Sequence, residues 1–113
     1  MQHREKSCLR DVLKAGNAIL RFTKDVTFNI YEQDELLRSA VERQFEIAGE
    51  ALVRLRDVDD EWMEKITDAR RIIGFRNVLV HGYDAIANDR VWDAIHSNLP
   101  QLLKLVESLA NEA

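Results

Sequence analysis

Apolar residues recur along the chain at steps of three and four, the spacing of one face of an α-helix. A first stripe covers residues 9–20, with Ser7 as its candidate N-cap. The stripe dissolves over 23–31, where β-branched and polar residues lower helix propensity, so we predict a connection there. A second stripe of about six turns begins after Asp34, a good N-cap residue, and ends in the acidic run 56–60.

The second half of the chain carries two further helical patterns. The third predicted helix begins near Asp59 or Asp60 and continues to a stop close to His81, where Gly82 supplies a C-terminal signal. Its apolar stripe consists of Trp62, Ile66, Ala69 and Ile73. We expect both Trp62 and Trp92 to anchor the core or a subunit interface, because each lies at helical core spacing.

The final predicted helix is capped by Asn88 or Asp89 and carries apolar residues from Val91 to Leu109. Pro100 should kink or divide it, because proline lacks the backbone donor and clashes with the preceding turn. The pattern therefore predicts an all-α fold, an antiparallel bundle of four to five helices, in a single domain over 1–113.

Composition narrows the function classes. One proline and four glycines in 113 residues argue against an all-β domain, and a single cysteine, Cys8, excludes an internal disulfide framework. A net charge of −4 gives no global basic footprint for nucleic acid, so an RNA or DNA partner would need a local patch. With no membrane span or signal segment evident, we expect a cytoplasmic location. A domain this small also benefits from a dimer interface.

The segment from Arg76 to Tyr83 departs from this plain pattern. It inserts Arg76, Asn77, His81 and Tyr83 into an apolar helix end. Histidine exchanges protons near neutral pH, and arginine offers a planar, permanently charged fork to phosphate oxygens. This set suits phosphodiester chemistry without a metal ion, although a purely structural role for Arg76 and His81 is about equally compatible with the residues alone.

The same segment, Arg76-Asn-Val-Leu-Val-His81-Gly-Tyr83, resembles the Arg–polar–three variable residues–His–any residue–Tyr motif of the HEPN superfamily, specifically its HepT-like toxins. Two further stretches support the resemblance. Residues 47–51 (Ile-Ala-Gly-Glu-Ala) look like the family's Ile-any-Gly-Glu-Ala sequence, and Val91-Trp92 followed by Leu99-Pro100 looks like its C-terminal segment. The resemblance covers roughly 8–109.

The resemblance implies a HEPN-like homodimer that acts as a metal-independent endoribonuclease toxin without a cofactor. Arg76 and His81 carry over as the catalytic pair and Asn77 as an auxiliary residue. The family's mechanism has the RNA 2′-hydroxyl attack the adjacent phosphate and leave a cyclic phosphate. The implied partners are an RNA substrate, with no DNA expected, and an MntA-like nucleotidyltransferase antitoxin of a type VII-like toxin–antitoxin pair. That antitoxin would neutralise the toxin by adenylylating Tyr83 (AMPylation).

Other readings of the sequence stay open. The same dimer could be a noncatalytic module that binds a nucleotide or a partner protein through the Arg76/His81 cleft. The chain is not itself a nucleotidyltransferase, because it lacks a Gly-Ser loop followed by paired aspartates. Glu50 could contact Arg76 or form an intersubunit pair. Four arginines are either solvated surface residues or part of an RNA path: Arg54, Arg56, Arg70 and Arg71. No function follows for His96 or His3.

Overall fold

The chain folds into α-helices joined by short connections. The computed structural model describes residues 2–81 and 87–112, and of His81 it describes only the backbone. These ranges contain helices and no strand, so the all-α prediction is confirmed. The helices are α1 (His3–Phe22), α2 (Phe28–Gln33), α3 (Glu35–Val58), α4 (Trp62–Lys65), α5 (Ala69–His81), α6 (Asn88–Ser97) and α7 (Leu99–Asn111).

The long helix α3 is the central element of the bundle. It packs against both α1 and α5, and α7 packs against α1. The indole Nε1 of Trp62, just beyond the end of α3, donates a 2.7 Å hydrogen bond to Glu5 near the start of α1. The start of α1 therefore lies beside the end of α3, and the two helices are antiparallel, as the bundle prediction requires.

The core is built from the inner faces of these helices. Large side chains with no exposed surface include Leu9, Ile19, Phe45, Leu52, Leu55, Ile72 and Leu99. Each such side chain stabilises the fold by roughly 1.5–3 kcal/mol. Cys8 and Trp62 are also buried, which confirms their predicted core roles, whereas Trp92 is only half-buried. In the described part of the chain, no helix has the length and apolar character needed to cross a bilayer.

The starts of α3 and α1 test two of the predicted N-caps. Asp34 caps α3 as predicted, because its Oδ1 accepts a 3.0 Å hydrogen bond from the backbone N–H of Leu37. The Ser7 cap is wrong: α1 begins at His3, and Glu5 accepts a hydrogen bond from the backbone N–H of Gln2 at 3.1 Å. The residues before Ser7 are good helix formers, so the helix extends upstream of the apolar stripe.

The predicted connection over 23–31 is wrong in its second half. α1 ends at Phe22, with Thr23 as its C-cap, but Phe28–Gln33 forms α2, which Thr27 caps by accepting a 3.3 Å hydrogen bond from the N–H of Ile30. Tyr31 in this helix is fully buried and packs on Trp92, with ring centroids 5.2 Å apart. Burial of the Tyr31 ring outweighs the weak helix propensity of the segment.

The third predicted helix is also wrong as one continuous element. It consists of the four-residue α4 and the longer α5, which are separated at Ile66, where the backbone is extended (φ −110°, ψ 93°). Ile66 has no exposed surface. The helix breaks at Ile66, and the side chain of Ile66 is buried in the core. The periodicity of the sequence does not show that a break is needed there.

The predicted division of the final helix is confirmed, and the break lies at Asn98, just before Pro100. α6 ends at Ser97, and Pro100 lies in the first turn of α7, where its missing N–H costs no helical hydrogen bond. The predicted caps, Asn88 or Asp89, are wrong by one or two positions, because both residues are already helical and Ala87 occupies the cap. The four main helices expected from the sequence therefore correspond to α1, α3, α5 and the divided α6–α7, with α2 and α4 in addition.

Candidate active site

The stem of Arg76 lies directly against Gly49 of α3. A methyl group built on Gly49 would come within 2.3 Å of the Arg76 Cβ, 2.8 Å of its Cγ and 3.2 Å of the Ile72 carbonyl oxygen. Real Cβ atoms do not make contacts of 2.3 Å, so only glycine permits this approach of α3 and α5. Two of the sequence stretches that carry the family resemblance are therefore in contact in the fold.

The guanidinium group of Arg76 reaches the neighbouring side chain on α5. Its Nη1 donates a 2.9 Å hydrogen bond to the Oδ1 of Asn77. Its Nε is buried and has no hydrogen-bond partner among the residues that the structure describes. A guanidinium carries five N–H donors, so the bond to Asn77 leaves most of its donor capacity for other groups. Asn77 is therefore in direct hydrogen-bond contact with Arg76, and its auxiliary role stays a prediction.

The remaining motif residues are described only in part. α5 is helical through His81, so the backbone brings position 81 one turn beyond Asn77. The side chain of His81 and the whole of Tyr83 lie outside the described residues. The roles of His81 and Tyr83 therefore stay predictions. Glu50 is half-buried on α3, and among the ion pairs between described residues none joins it to Arg76.

A groove of about 480 Å³ opens along α4 and α5 and includes Asn77 in its wall. Its cationic residues are Arg56 and Arg70. The wall also contains Asp60, Glu61, Met63, Glu64, Ile73 and Gly74, so its charge is mixed. Arg76 does not line the groove itself, but its guanidinium group bonds Asn77 in the groove wall.

The four arginines singled out in the sequence separate into two pairs. Arg54 is paired with Asp11 at 3.2 Å and Arg71 with Asp93 at 3.5 Å, so carboxylates of the chain already bind both guanidinium groups. Arg56 and Arg70 line the groove and form no ion pair with any described residue. The second pair is the better placed to meet a polyanion.

Among the described residues, neither a metal-binding cluster nor a shifted pKa points to a second candidate active site. Within residues 2–81 and 87–112, no group of three or more His, Cys, Asp or Glu side chains is close enough to hold a metal ion. Burial, together with the nearby Glu42 carboxylate, raises the pKa of Tyr31 to about 12. Burial also raises the pKa of Glu42 itself. Tyr31 lies on α2 and Glu42 on α3, and neither lines the groove along α4 and α5.

Comparison with known proteins places the chain in a family. The family model described as ribonuclease HepT-like matches residues 12–109, which include Gly49 and the whole motif from Arg76 to Tyr83. The chain belongs to the HepT-like ribonuclease family. This confirms the resemblance drawn from the motif, from residues 47–51 and from the C-terminal segment.

Relatives with ribonuclease names cover nearly all of this HepT-like chain. The candidate RNase MJ1380 of Methanocaldococcus jannaschii is 33% identical over 104 residues, which cover 90% of this chain and 93% of that protein. The probable ribonuclease HepT of Thermococcus cleftensis is 27% identical over 109 residues, covering 96% and 98% of the two chains. No solved structure matches the chain.

Three features of this HepT-like chain escaped sequence reasoning. The division of the arginines into two pairs depends on partners 43 and 22 residues away in sequence, Asp11 and Asp93. The contact between Gly49 and Arg76 likewise joins two different helices. Gly74 is the third: it is exposed within α5, and a Cβ added there would meet no atom within 4 Å. The sequence did contain a signal for this position: a glycine inside a predicted helix lowers its stability by about 0.5–1 kcal/mol relative to alanine, so it calls for an explanation.

Proposed function

We propose that the protein is an endoribonuclease that cleaves RNA at the Arg76 motif. The observation that carries the proposal is the state of the Arg76 guanidinium: Gly49 fixes its stem, Asn77 binds one donor, and no described carboxylate neutralises it. A permanently charged, oriented donor set of this kind is suited to a phosphate whose negative charge increases in the transition state.

The proposed reaction uses the RNA's own 2′-hydroxyl as nucleophile. This oxygen loses its proton and bonds to the adjacent phosphorus, while the bond from phosphorus to the 5′-oxygen of the next nucleotide breaks and that oxygen takes up a proton. The products are a 2′,3′-cyclic phosphate and a 5′-hydroxyl. His81 would act as the general base or acid for one of these transfers, and Arg76 would stabilise the pentacovalent phosphorus.

RNA binding is assigned to the groove along α4 and α5. Arg56 and Arg70 would contact phosphates on either side of the cleaved bond, because neither is engaged by a described carboxylate. The three carboxylates in the same wall reduce the general attraction for polyanions. We therefore expect RNA to be anchored at only a few phosphates, and no cleavage of DNA, because DNA lacks the 2′-hydroxyl that the proposed reaction uses as nucleophile.

The proposal extends to regulation. The chain would act as the toxin of a type VII-like pair, as a cytoplasmic homodimer in which two copies of the motif share one cleft. An MntA-like nucleotidyltransferase would transfer AMP from ATP to the hydroxyl of Tyr83 and release pyrophosphate. The added phosphate is an anion close to Arg76 in sequence and would compete with the substrate phosphate for that guanidinium.

Cleavage of end-labelled RNA in EDTA tests the catalytic proposal. Wild type should cut and leave cyclic phosphate ends, whereas Arg76→Ala and His81→Ala should lose about 100-fold or more in rate. Arg54→Ala is the matched control, because Arg54 is paired with Asp11 and does not line the groove. Activity that disappears in EDTA and returns with Mg²⁺ would overturn metal independence.

An inert wild type would instead favour the noncatalytic alternative. If unmodified protein and both variants are equally inactive, but wild type retains RNA or nucleotide binding that Arg76→Ala abolishes, the cleft is a binding site and not an active site. This outcome is distinguishable from misfolding, because the Arg54→Ala control and thermal denaturation report on the fold separately.

The modification of Tyr83 is tested by intact mass. Incubation with the cognate nucleotidyltransferase, ATP and Mg²⁺ should add one AMP to wild type and none to Tyr83→Phe. Retention of the AMP increment in Tyr83→Phe would assign the modification to another residue. Light scattering of the same samples tests the homodimer, and a monomeric mass at micromolar concentration would contradict the shared cleft.

A further inference from the structure

A second concave site lies between α2 and α6, outside the proposed RNA groove. It is a pocket of about 380 Å³ lined by Phe28, Trp92 and His96 and by the carboxylates of Asp89 and Asp93. Asp89 and Trp92 are three residues apart, as are Asp93 and His96, and at 100° per residue all four fall within an arc of about 100°, so they form one face of α6. The ribonuclease proposal assigns none of them a role.

The aromatic wall of this pocket is anchored in the core. Trp92 packs on the fully buried Tyr31 with ring centroids 5.2 Å apart, and on Phe28 at 6.0 Å. The ring of His96 lies 4.6 Å from that of Trp92. The half-buried indole is therefore held from several sides while it still lines the pocket, which provides a rigid π surface at low entropic cost.

The polar groups of the wall are predominantly acceptors. The Nδ1 of His96 lies 2.8 Å from the carbonyl oxygen of Trp92. A carbonyl only accepts, so Nδ1 carries the proton, and in the neutral ring Nε2 presents its lone pair. Carboxylates and the faces of aromatic rings are likewise electron-rich. The lining thus matches a ligand that is cationic and rich in N–H donors.

The two carboxylates differ in how far they are already neutralised. Asp93 accepts hydrogen bonds from Ser97 at 3.1 Å and from Arg71 at 3.5 Å. Asp89 accepts one from the backbone N–H of Arg90 at 3.0 Å and forms no ion pair with a described residue. Asp89 is therefore the carboxylate that a cation entering the pocket would meet.

We propose that this pocket binds the guanidinium group of an arginine side chain presented by a protein partner. The flat guanidinium stacks on an indole face and offers N–H donors to a carboxylate at the same time, which the rounder ammonium of lysine does less well. RNA is disfavoured as the occupant, because both carboxylates would repel its phosphates. The proposal does not depend on ribonuclease activity.

The chain's two tryptophans allow a direct test by NMR of the indole N–H signals. The probe is the capped peptide acetyl-Gly-Arg-Gly-amide, and the matched ligand carries citrulline in place of arginine, with the same shape and no charge. The Trp92 signal should shift saturably with the arginine peptide. The Trp62 signal should stay fixed, because that indole is buried and bonded to Glu5.

The expected differences are about fivefold to tenfold in Kd, the range of a partly desolvated cation–π contact with a carboxylate. The citrulline peptide should bind that much more weakly to wild type, and the arginine peptide that much more weakly to Asp89→Asn. Glu107→Gln, which removes an exposed carboxylate from α7, should bind like wild type.

Three results would overturn the proposal. The first is equal binding of the citrulline and arginine peptides. The second is an unchanged Kd in Asp89→Asn with a wild-type Trp62 signal, which shows that the variant is folded. The third is a saturable Trp92 shift with guanosine monophosphate but none with the arginine peptide, which would make the pocket a nucleobase site.

Discussion

The two faces of α5 present opposite environments to the residues of one motif. On the inner face, Arg76 starts against Gly49 with no room for a methyl group, whereas on the outer face a Cβ at Gly74 would meet nothing within 4 Å. Asn77 belongs to the outer groove and yet bonds the guanidinium of Arg76. The packed face of α5 therefore fixes the start of the Arg76 side chain, while the guanidinium group bonds Asn77 on the open face.

The difference between the packed and the open face of α5 explains how a short motif could form the candidate active site. Packing against α3 supplies the precision that a long, flexible arginine side chain lacks by itself. The groove leaves this face accessible to a substrate, and Asn77 in the groove wall bonds the guanidinium group of Arg76.

Gly49→Ala should have the largest effect. The new methyl group overlaps the stem of Arg76, so α3 and α5 must move apart. Overpacking of this kind costs about 1–3 kcal/mol of stability, and a displacement of the guanidinium by about 1 Å would lower cleavage roughly 100-fold. Thermal denaturation and single-turnover cleavage measure the two effects. Wild-type values of both would show that the contact with Gly49 does not position Arg76.

Asn77→Ala should come next, with about a tenfold fall in kcat and little change in stability. The substitution removes the 2.9 Å hydrogen bond that orients the guanidinium, but Asn77 is exposed and contributes little to the core. Steady-state cleavage kinetics at saturating RNA measure the effect. A loss confined to KM would instead mean that Asn77 only binds substrate.

The double variant Arg56→Ala/Arg70→Ala should raise KM for RNA by up to about tenfold, with kcat retained, because it removes phosphate contacts on the outer face. The slope of log KM against log salt should become shallower by about 1.4, because each lost contact to a single-strand phosphate contributes about 0.7. The control is Arg54→Ala/Arg71→Ala, which removes the same charge from arginines paired with Asp11 and Asp93. Equal effects of the two double variants would show that RNA responds to the overall charge of the protein and not to the groove.

Gly74→Ala should have the smallest effect and the opposite sign. With open space around the new methyl group, alanine should stabilise α5 by about 0.5–1 kcal/mol, a small upward shift in Tm. Denaturant titration at low protein concentration measures this. A loss of stability that grows with protein concentration would show that another molecule, such as a second copy, covers this face in solution.

The sequence predicted those parts of the fold that depend on neighbours along the chain. The Asp34 cap requires only the N–H of Leu37, three residues away, and the division at Pro100 follows from the geometry of one ring. The largest errors, a missed helix and a missed break, occur at Tyr31 and Ile66, where a distant core decides the local conformation. The wrong caps at Ser7 and at Asn88 or Asp89 are local errors that shift a helix start by a few residues. Periodicity indicates which residues are apolar, but not which helix must break to bury them.

For the candidate site, the motif residues and their spacing were available from the sequence, together with the family that they resemble. The approach of Gly49 to Arg76, the division of four arginines into engaged and open pairs, and the aromatic wall around Trp92 were decided only by the tertiary structure. The physical reason is range: hydrogen bonds and side-chain pairs within one helical turn are encoded at fixed spacing, whereas contacts between helices depend on how whole faces pack.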